Sequence, residues 1–445
     1  MRSAVTVSVL SLAYLQLSAA HVGCNGQELI RRQTVQSEGQ STNPNTECQG
    51  YSYAPLEAIQ QNYPGSWVTA SILPNDTEAL ALYNKINTEV TAQFPNIQPH
   101  GTHNGSFAGV QYNSSDPDCW WTWSNCVTPA ASTGLQPDWA SVPEPETFGL
   151  TFDDGPNCAH NLFYDFLQEN NQKATMFYIG SNIYDSPLQG LRGFADGHHI
   201  CVHTWSHQYM TSFTNEVAFA ELYYTRKIIT ELFGVTPLCW RPPYGDVDNR
   251  IRAIAKGLNL TTVMWVNDTA DWTLDEPNTN NWPTVDANYQ YVIDGASNGM
   301  WSEFGPIVLA HELTNMTMTE AMTYYPKIKA AFRHVVPLAS AFNVTSPYAE
   351  GNVSYPDFKT YTSGQTNQTI CQGRCDAVGE TTSSSATSAT GQMTATTAST
   401  HSASVTASAK ASSVVVAKTG GAKRSRWLSG GLTIMMAGVC GVIML

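Results

Sequence analysis

Between residue 146 and about residue 345 the chain alternates short apolar runs with amphipathic stretches, and no other feature constrains its fold as much. Six runs read as strands: 148–152, 174–179, 200–203, 238–240, 261–266 and 307–310. The clearest helical pattern is 215–233, where Ala218, Leu222, Thr225, Ile229 and Leu232 share a face and Gly234 stands at the C-cap position. Asp248 is placed to cap a second helix carrying Ile251, Ile254 and Ala255 and ended by Gly257. Such alternation predicts an α/β fold, a parallel sheet with helices outside, either open or closed into a barrel. In folds of this kind the chemistry collects at the carboxyl ends of the strands.

Polar residues cluster at those ends. The first run finishes as FGLTFDDGPNC, with Asp153 and Asp154 directly before a Gly-Pro turn. Where the backbone turns, two neighbouring carboxylates can enter one cleft from different directions. Alone, an Asp-Gly-Pro sequence is more often a cap or a solvated turn. His203 and His207 follow the third run as HTWSH, and a spacing of four puts both imidazoles on one face of a helical turn, a common way to hold a metal. Two His and one carboxylate leave positions open for water and substrate. An isolated pair of this kind is more often surface or capping histidines, and His160, His198 and His199 show that the chain has others. In Arg241-Pro242-Pro243-Tyr244 the two prolines remove two backbone donors, so the Tyr244 N–H is the next one available. Asp268-Thr-Ala-Asp271-Trp272 and Leu309-Ala-His311 end two further runs.

Taken together, TFDDGP, HTWSH, RPPY, DTADW and LAH resemble, in this order, the polysaccharide deacetylase family, carbohydrate esterase family 4. The resemblance covers about residues 146–345, and the layout is similar to that of fungal chitin deacetylases. It implies a distorted (β/α) barrel with an irregular N-terminal extension (21–145). It implies that Asp154, His203 and His207 bind one divalent metal, zinc or alternatively cobalt. Asp153 is then the base, held in position by Arg241. His311 is the acid that protonates the departing amine, oriented by Asp271. The Tyr244 N–H faces the oxyanion, and Trp272 and Leu309 shape the pocket. The activity implied is hydrolysis of N-acetyl groups in chitin, giving chitosan and acetate. In GHHICVHTWSH, His199 and Cys201 stand where relatives often carry an acid and a glycine, a change expected on the substrate side of the site.

The remainder of the chain indicates where such an enzyme works. Residues 1–20 join Arg2, an apolar run and Ser18-Ala19-Ala20, the pattern of a secretory leader. Residues 346–380 form a polar C-terminal extension to the barrel. From 381 to 413, 19 of 33 positions are Ser or Thr, which cannot build a core and reads as a disordered, O-glycosylated stalk running to about residue 420. Small residues, a basic patch and an apolar tail follow, so a GPI anchor is expected, with Gly420 as attachment site and residues 421–445 removed. Nine Asn-x-Ser/Thr sites occur, and glycans are expected on Asn75, Asn104, Asn113, Asn259, Asn315, Asn343, Asn352 and Asn367. Asn267 abuts DTADW and is expected to stay bare. The ten cysteines are too scattered for a small disulfide scaffold, although Cys119/Cys126 and Cys371/Cys375 are close enough for local bridges. Net charge is −14; without residues 1–20 and 421–445, which carry four basic residues and no acids, it is −18. That surface repels phosphate backbones, so nucleic acid is excluded as a partner. The expected partners are chitin, other wall glycans and the outer face of the plasma membrane, with the protein as a monomer. Rival readings are an acetyl-xylan esterase, a peptidoglycan deacetylase, and a binding or structural wall mannoprotein. The loop Asp118-Cys-Trp-Trp-Thr-Trp-Ser-Asn-Cys126 presents its indoles either to sugar or to the barrel.

Overall fold

The computed structural model describes residues 34–275 and 280–370. The leader, Cys371 and Cys375, the stalk, Gly420 and the apolar tail lie outside the described residues. Five parallel strands form the main sheet in the order β1 (Thr151–Gly155), β2 (Thr175–Tyr178), β3 (His199–Val202), β4 (Cys239–Trp240) and β5 (Thr261–Thr262). The chain after β5 then leaves β4 and crosses to a new partner. The Val263 N–H donates to the Trp240 carbonyl at 2.9 Å, whereas the Val266 N–H donates to Ile307 at 3.0 Å. There β6 (Asn267–Asp268) pairs in parallel with β7 (Val308–Leu309). The Asp153 N–H reaches the Ala310 carbonyl at 3.0 Å, and Asp153 bridges to His311. The ring is thereby closed into the distorted barrel that the family resemblance implies.

Strand alternation sorts the side chains into two layers. Met176, Tyr178, Ile200 and Val202 pack under the helices, while Phe177, Cys201, Cys239, Val263, Ile307 and Val336 fill the barrel. Every residue of β1, β2 and β3 is buried, as strands covered on both faces must be. Outside lie α2 (Asn161–Glu169), α3 (Gly180–Asp185), α4 (Asn215–Phe233) and α5 (Asn249–Gly257). In α4 the Thr214 hydroxyl accepts from the Val217 N–H at 3.4 Å, and Gly234 closes the helix at φ +73°. Phe233 rather than Leu232 completes its buried face. The Asp248 carboxylate caps α5, accepting from the Ile251 N–H at 2.9 Å. Gly257, expected to end that helix, lies inside it; a Cβ there would stand 2.8 Å from the Ile86 side chain. Its role is therefore close helix approach.

Residues 34–145 form one compact unit with the barrel. α1 (Thr77–Gln93) packs on α4 and α5 and buries Ile86 and Val90. Cys48 is joined to Cys158, just beyond β1, and the Glu47 carboxylate accepts from the Asn161 N–H at 2.9 Å, capping α2. Cys119–Cys126 is the local bridge expected from spacing; Cys201–Cys239 spans β3 and β4 within the barrel. No helix among the described residues is long and apolar enough to cross a membrane.

Candidate active site

Asp153 shares the inward parity of Phe177, its partner on β2, so regular alternation would turn Asp154 outward. A bulge prevents this. Asp153 pairs with Phe177 and Gly155 with Tyr178, leaving Asp154 as the extra residue, at φ +69°. Left-handed backbone is unfavourable for most L-residues and least so for Asp and Asn, and bulges re-aim side chains beside active sites. The Asp154 Oδ1 consequently lies 3.3 Å from His203 Nε2 and 3.1 Å from His207 Nε2. Asp153 stays off this set, with Oδ2 3.8 Å from His203 Nε2 and Oδ1 accepting from Arg241 Nη1 at 2.6 Å.

The HTWSH segment is not the helical turn its spacing predicts. Thr204 and His207 have positive φ, +63° and +51°, and the loop wraps around buried Glu221 of α4. Glu221 Oε2 accepts from the Trp205 and Ser206 N–H groups at 2.9 and 2.8 Å. Its Oε1 accepts from Ser206 Oγ at 2.6 Å and from the Ala70 N–H at 2.8 Å. Amides gathered on one carboxylate cannot align along a helix axis. Burial pushes the Glu221 carboxyl up, opposed by these donors. Nothing in the motif itself signals Glu221, because it arrives from another element.

The triad suits a divalent cation. His203 Nδ1 donates to the Arg241 carbonyl at 2.8 Å, which leaves the Nε2 lone pair facing Asp154. The buried Asp154 Oδ1 has no hydrogen-bond partner among the described residues. Burial opposes ionisation of Asp154, but the imidazoles of His207 and His203, when protonated, outweigh it and hold the carboxyl well below its usual range. Two imidazole nitrogens and a carboxylate oxygen form a three-ligand set that keeps positions open. A second grouping, His199 with Cys201 and Cys239, is different, since its two sulfurs are bonded to each other. Burial pushes His199 down to about 3. His199 and Cys201 are buried in β3, and Cys201 fills the barrel, so neither forms the substrate side on which the sequence reading placed them.

Arg241 is buried, with Nη1 also 3.0 Å from Thr151 Oγ1 and the guanidinium 4.2 Å from the Phe177 ring centroid. On the β7 side, Asp271 Oδ1 binds His311 Nδ1 at 2.6 Å and Oδ2 accepts from the His311 N–H at 2.9 Å. Burial disfavours the imidazolium, yet Asp271 outweighs it and lifts His311 to about 10. The next residue, Glu312, is also buried. It binds His160 Nδ1 at 2.8 Å and accepts from the Asn157 N–H at 2.9 Å, tying the turn after Asp154 to the end of β7. Glu312 was missed in the sequence because it reads as the flank of LAH.

A cleft of about 970 Å³ opens above these groups, lined by Asp153, Asp154, His203, His207, Tyr244, Trp272, Leu309 and His311. Tyr244 has φ +58°, and its ring stacks on Tyr209 with centroids 4.1 Å apart. Trp67, Trp121 and Trp265 also reach the cleft, which the sequence did not foretell for Trp67 or Trp265. The Trp-rich disulfide loop divides its indoles. Trp120 is buried, donating to Asp246 at 2.9 Å, Trp121 packs on Trp265 in the cleft, and Trp123 is exposed. Asn267 is half-buried in β6, beside the cleft residue Asp268. Asn75, Asn104, Asn113, Asn259, Asn315, Asn343 and Asn367 are exposed, and Asn352 is half-buried.

A family model for polysaccharide deacetylase matches residues 140–263. Chitin deacetylase 2 of Cryptococcus neoformans var. grubii is 56% identical over 360 residues, 78% of this chain and 79% of that one. The chain belongs to the polysaccharide deacetylase family. The chitin deacetylase of Amylomyces rouxii is 44% identical over 316 residues, 70% of this chain and 73% of that one. The solved chitin deacetylase of Colletotrichum lindemuthianum aligns at 21% identity with a TM-score of 0.42, over 46% of this chain and 92% of that one. Polysaccharide deacetylases depend on a divalent metal, in keeping with the donor set above. The matched region holds both acids, both histidines, Arg241 and Tyr244; Asp271 and His311 lie beyond it.

Proposed function

We propose that this polysaccharide deacetylase hydrolyses the N-acetyl groups of N-acetylglucosamine units in chitin, producing chitosan and acetate. One observation carries the reading. A carboxylate clamped by a buried arginine and an imidazole clamped by a buried carboxylate face the same cleft as a three-ligand cation set. The names borne by the relatives, chitin deacetylase in each case, support the choice of polymer.

Asp154, His203 and His207 would hold the cation, and zinc suits a set of two nitrogens and one oxygen. When bound, it supplies Lewis-acid activation of a water and of the acetamide carbonyl. Asp153 takes the proton from the attacking water, and Arg241 fixes the carboxylate that does so. The Tyr244 N–H is assigned to the developing oxyanion, a contact of this kind being worth about 3 kcal/mol. His311 protonates the amine nitrogen as the C–N bond breaks, and Asp271 positions it. Trp272 and Leu309 shape the pocket for the sugar and its acetyl methyl. The three disulfides among the described residues support a site of action outside the cell. The stalk and anchor signal read from the sequence support attachment at the outer face of the plasma membrane.

His311 acts only while protonated, so activity falls as pH rises through its pKa. That value is raised to about 10, and a dication nearby pulls the limb to that value or below. Removing the Asp271 charge must lower it. For Asp271→Asn the alkaline limb of the kcat profile is expected to move down by about 2 units, with kcat reduced. An unmoved limb would remove His311 from the acid role. The pair also stabilises the fold, a contribution complete below about 6.5 and lost as pH rises through about 10.

The deciding experiment measures acetate released by the secreted, tail-deleted protein loaded with zinc, on chitin oligomers and on acetyl-xylan side by side. Release from chitin oligomers is the expected result. Release from acetyl-xylan alone, or from neither polymer, overturns the assignment.

A further inference from the structure

We propose that Trp67 is a substrate-binding residue, a platform on which a second pyranose ring of the polymer stacks beside the one being deacetylated. This extends the chitin reading above and rests on it. Trp67 comes from the N-terminal segment, well outside the family-matched residues 140–263.

The indole is held out deliberately. It is 49% exposed and lines the cleft, although its backbone has φ +59°, a conformation that bulky residues rarely adopt. Its N–H donates to Ser181 Oγ at 2.8 Å and its Nε1–H to Asp185 Oδ2 at 3.2 Å, both on α3. Ser66 Oγ donates to the same Asp185 oxygen at 2.7 Å. One residue earlier, the Gly65 carbonyl accepts from Trp205 Nε1 at 3.0 Å, inside the loop that carries His203 and His207. Burial of apolar surface would favour turning this ring inward. A strained backbone and a tied ring nitrogen instead keep a flat apolar face towards solvent, an arrangement that marks functional sites.

Its position gives the ring a partner. α3 follows β2, which neighbours the acid-bearing β1 on one side. Trp272 follows β6, reached from β1 on the other side through β7, and it is 42% exposed. The two indoles therefore stand on opposite sides of β1, the strand that bears Asp153 and Asp154. A single N-acetylglucosamine unit centred on the triad needs only one of these walls, whereas a β-linked chain places a neighbouring ring within reach of the other. The axial C–H faces of pyranoses match an indole face, and Trp is suited to binding because it offers large rigid area at small entropic cost.

The test compares kcat/KM on single N-acetylglucosamine units and on the chitin pentamer for wild type, Trp67→Ala and Trp67→Tyr, with metal content and Tm measured for each. Trp67→Ala is expected to lose about tenfold more on the pentamer than on the single unit, mainly through KM, and Trp67→Tyr to recover most of that loss. Should the alanine variant unfold, Trp67→Leu, which keeps apolar bulk without a flat face, carries the same expectation. Equal losses at both lengths, or none, overturn the proposal. A wild-type protein that releases no acetate from any oligomer instead overturns the chitin reading.

Discussion

Asp153→Asn is expected to reduce acetate release by about a thousandfold while the protein still binds one metal ion. The carboxamide keeps the shape of the side chain and can still accept from Arg241, but it cannot take a proton from water. The pair it disrupts is buried on both sides, with Asp153 Oδ1 2.6 Å from Arg241 Nη1 and the two side chains 3% and 0% exposed. Leaving a guanidinium uncompensated at such a site costs about 3–5 kcal/mol in general. The low end applies here, because Thr151 Oγ1 at 3.0 Å and the Met264 carbonyl at 3.3 Å also serve Arg241. A lower Tm is therefore expected, and the kinetic comparison belongs well below it. Near wild-type turnover in a folded, metal-loaded Asn variant would show that another group accepts the proton.

Loss of a ligand should be just as severe, by a different route. His207→Ala is expected to bring acetate release to background and metal content from about one per chain to a small fraction of that. Zinc restores chelator-stripped wild type under conditions in which it leaves the variant inactive. The fold should tolerate the change, because the His207 side chain is 18% exposed and its loop is held by Glu221 rather than by the imidazole. A His207→Ala protein with full metal content would mean that the cation sits elsewhere. A chelated wild type with full activity would mean that none is needed.

Much of this site is legible along the chain because its parts are local. An apolar run that stops at DDGP, RPPY or LAH announces both a strand and the polar group at its end, and all six runs lie in strands or in their immediate extensions. The caps Asp248 and Gly234 are equally local, each acting on the turn of helix beside it. The spacing of His203 and His207 anticipated that both imidazoles face one point, where they meet Asp154, but not the backbone between them, which is no helical turn. What bends that loop is a carboxylate about 15 residues away in α4, itself shared with Ala70 on the N-terminal segment. The pairing of Glu312 with His160 escaped notice for the same reason, the two being 152 positions apart and meaningful only together.

The sequence by itself determined the order of strands and helices, the residues that bear protons and lone pairs, and the family to which they are similar. Those properties follow from side-chain chemistry and from periodicities of two and 3.6 residues, which need no distant partner. Tertiary structure alone decided how Asp154 is turned back into the cleft, which carboxylate shapes the histidine loop, and that an indole from the N-terminal segment stands at the mouth. Each of these depends on a bulge, a buried charge or a strained dihedral that is stable only when remote segments close around it.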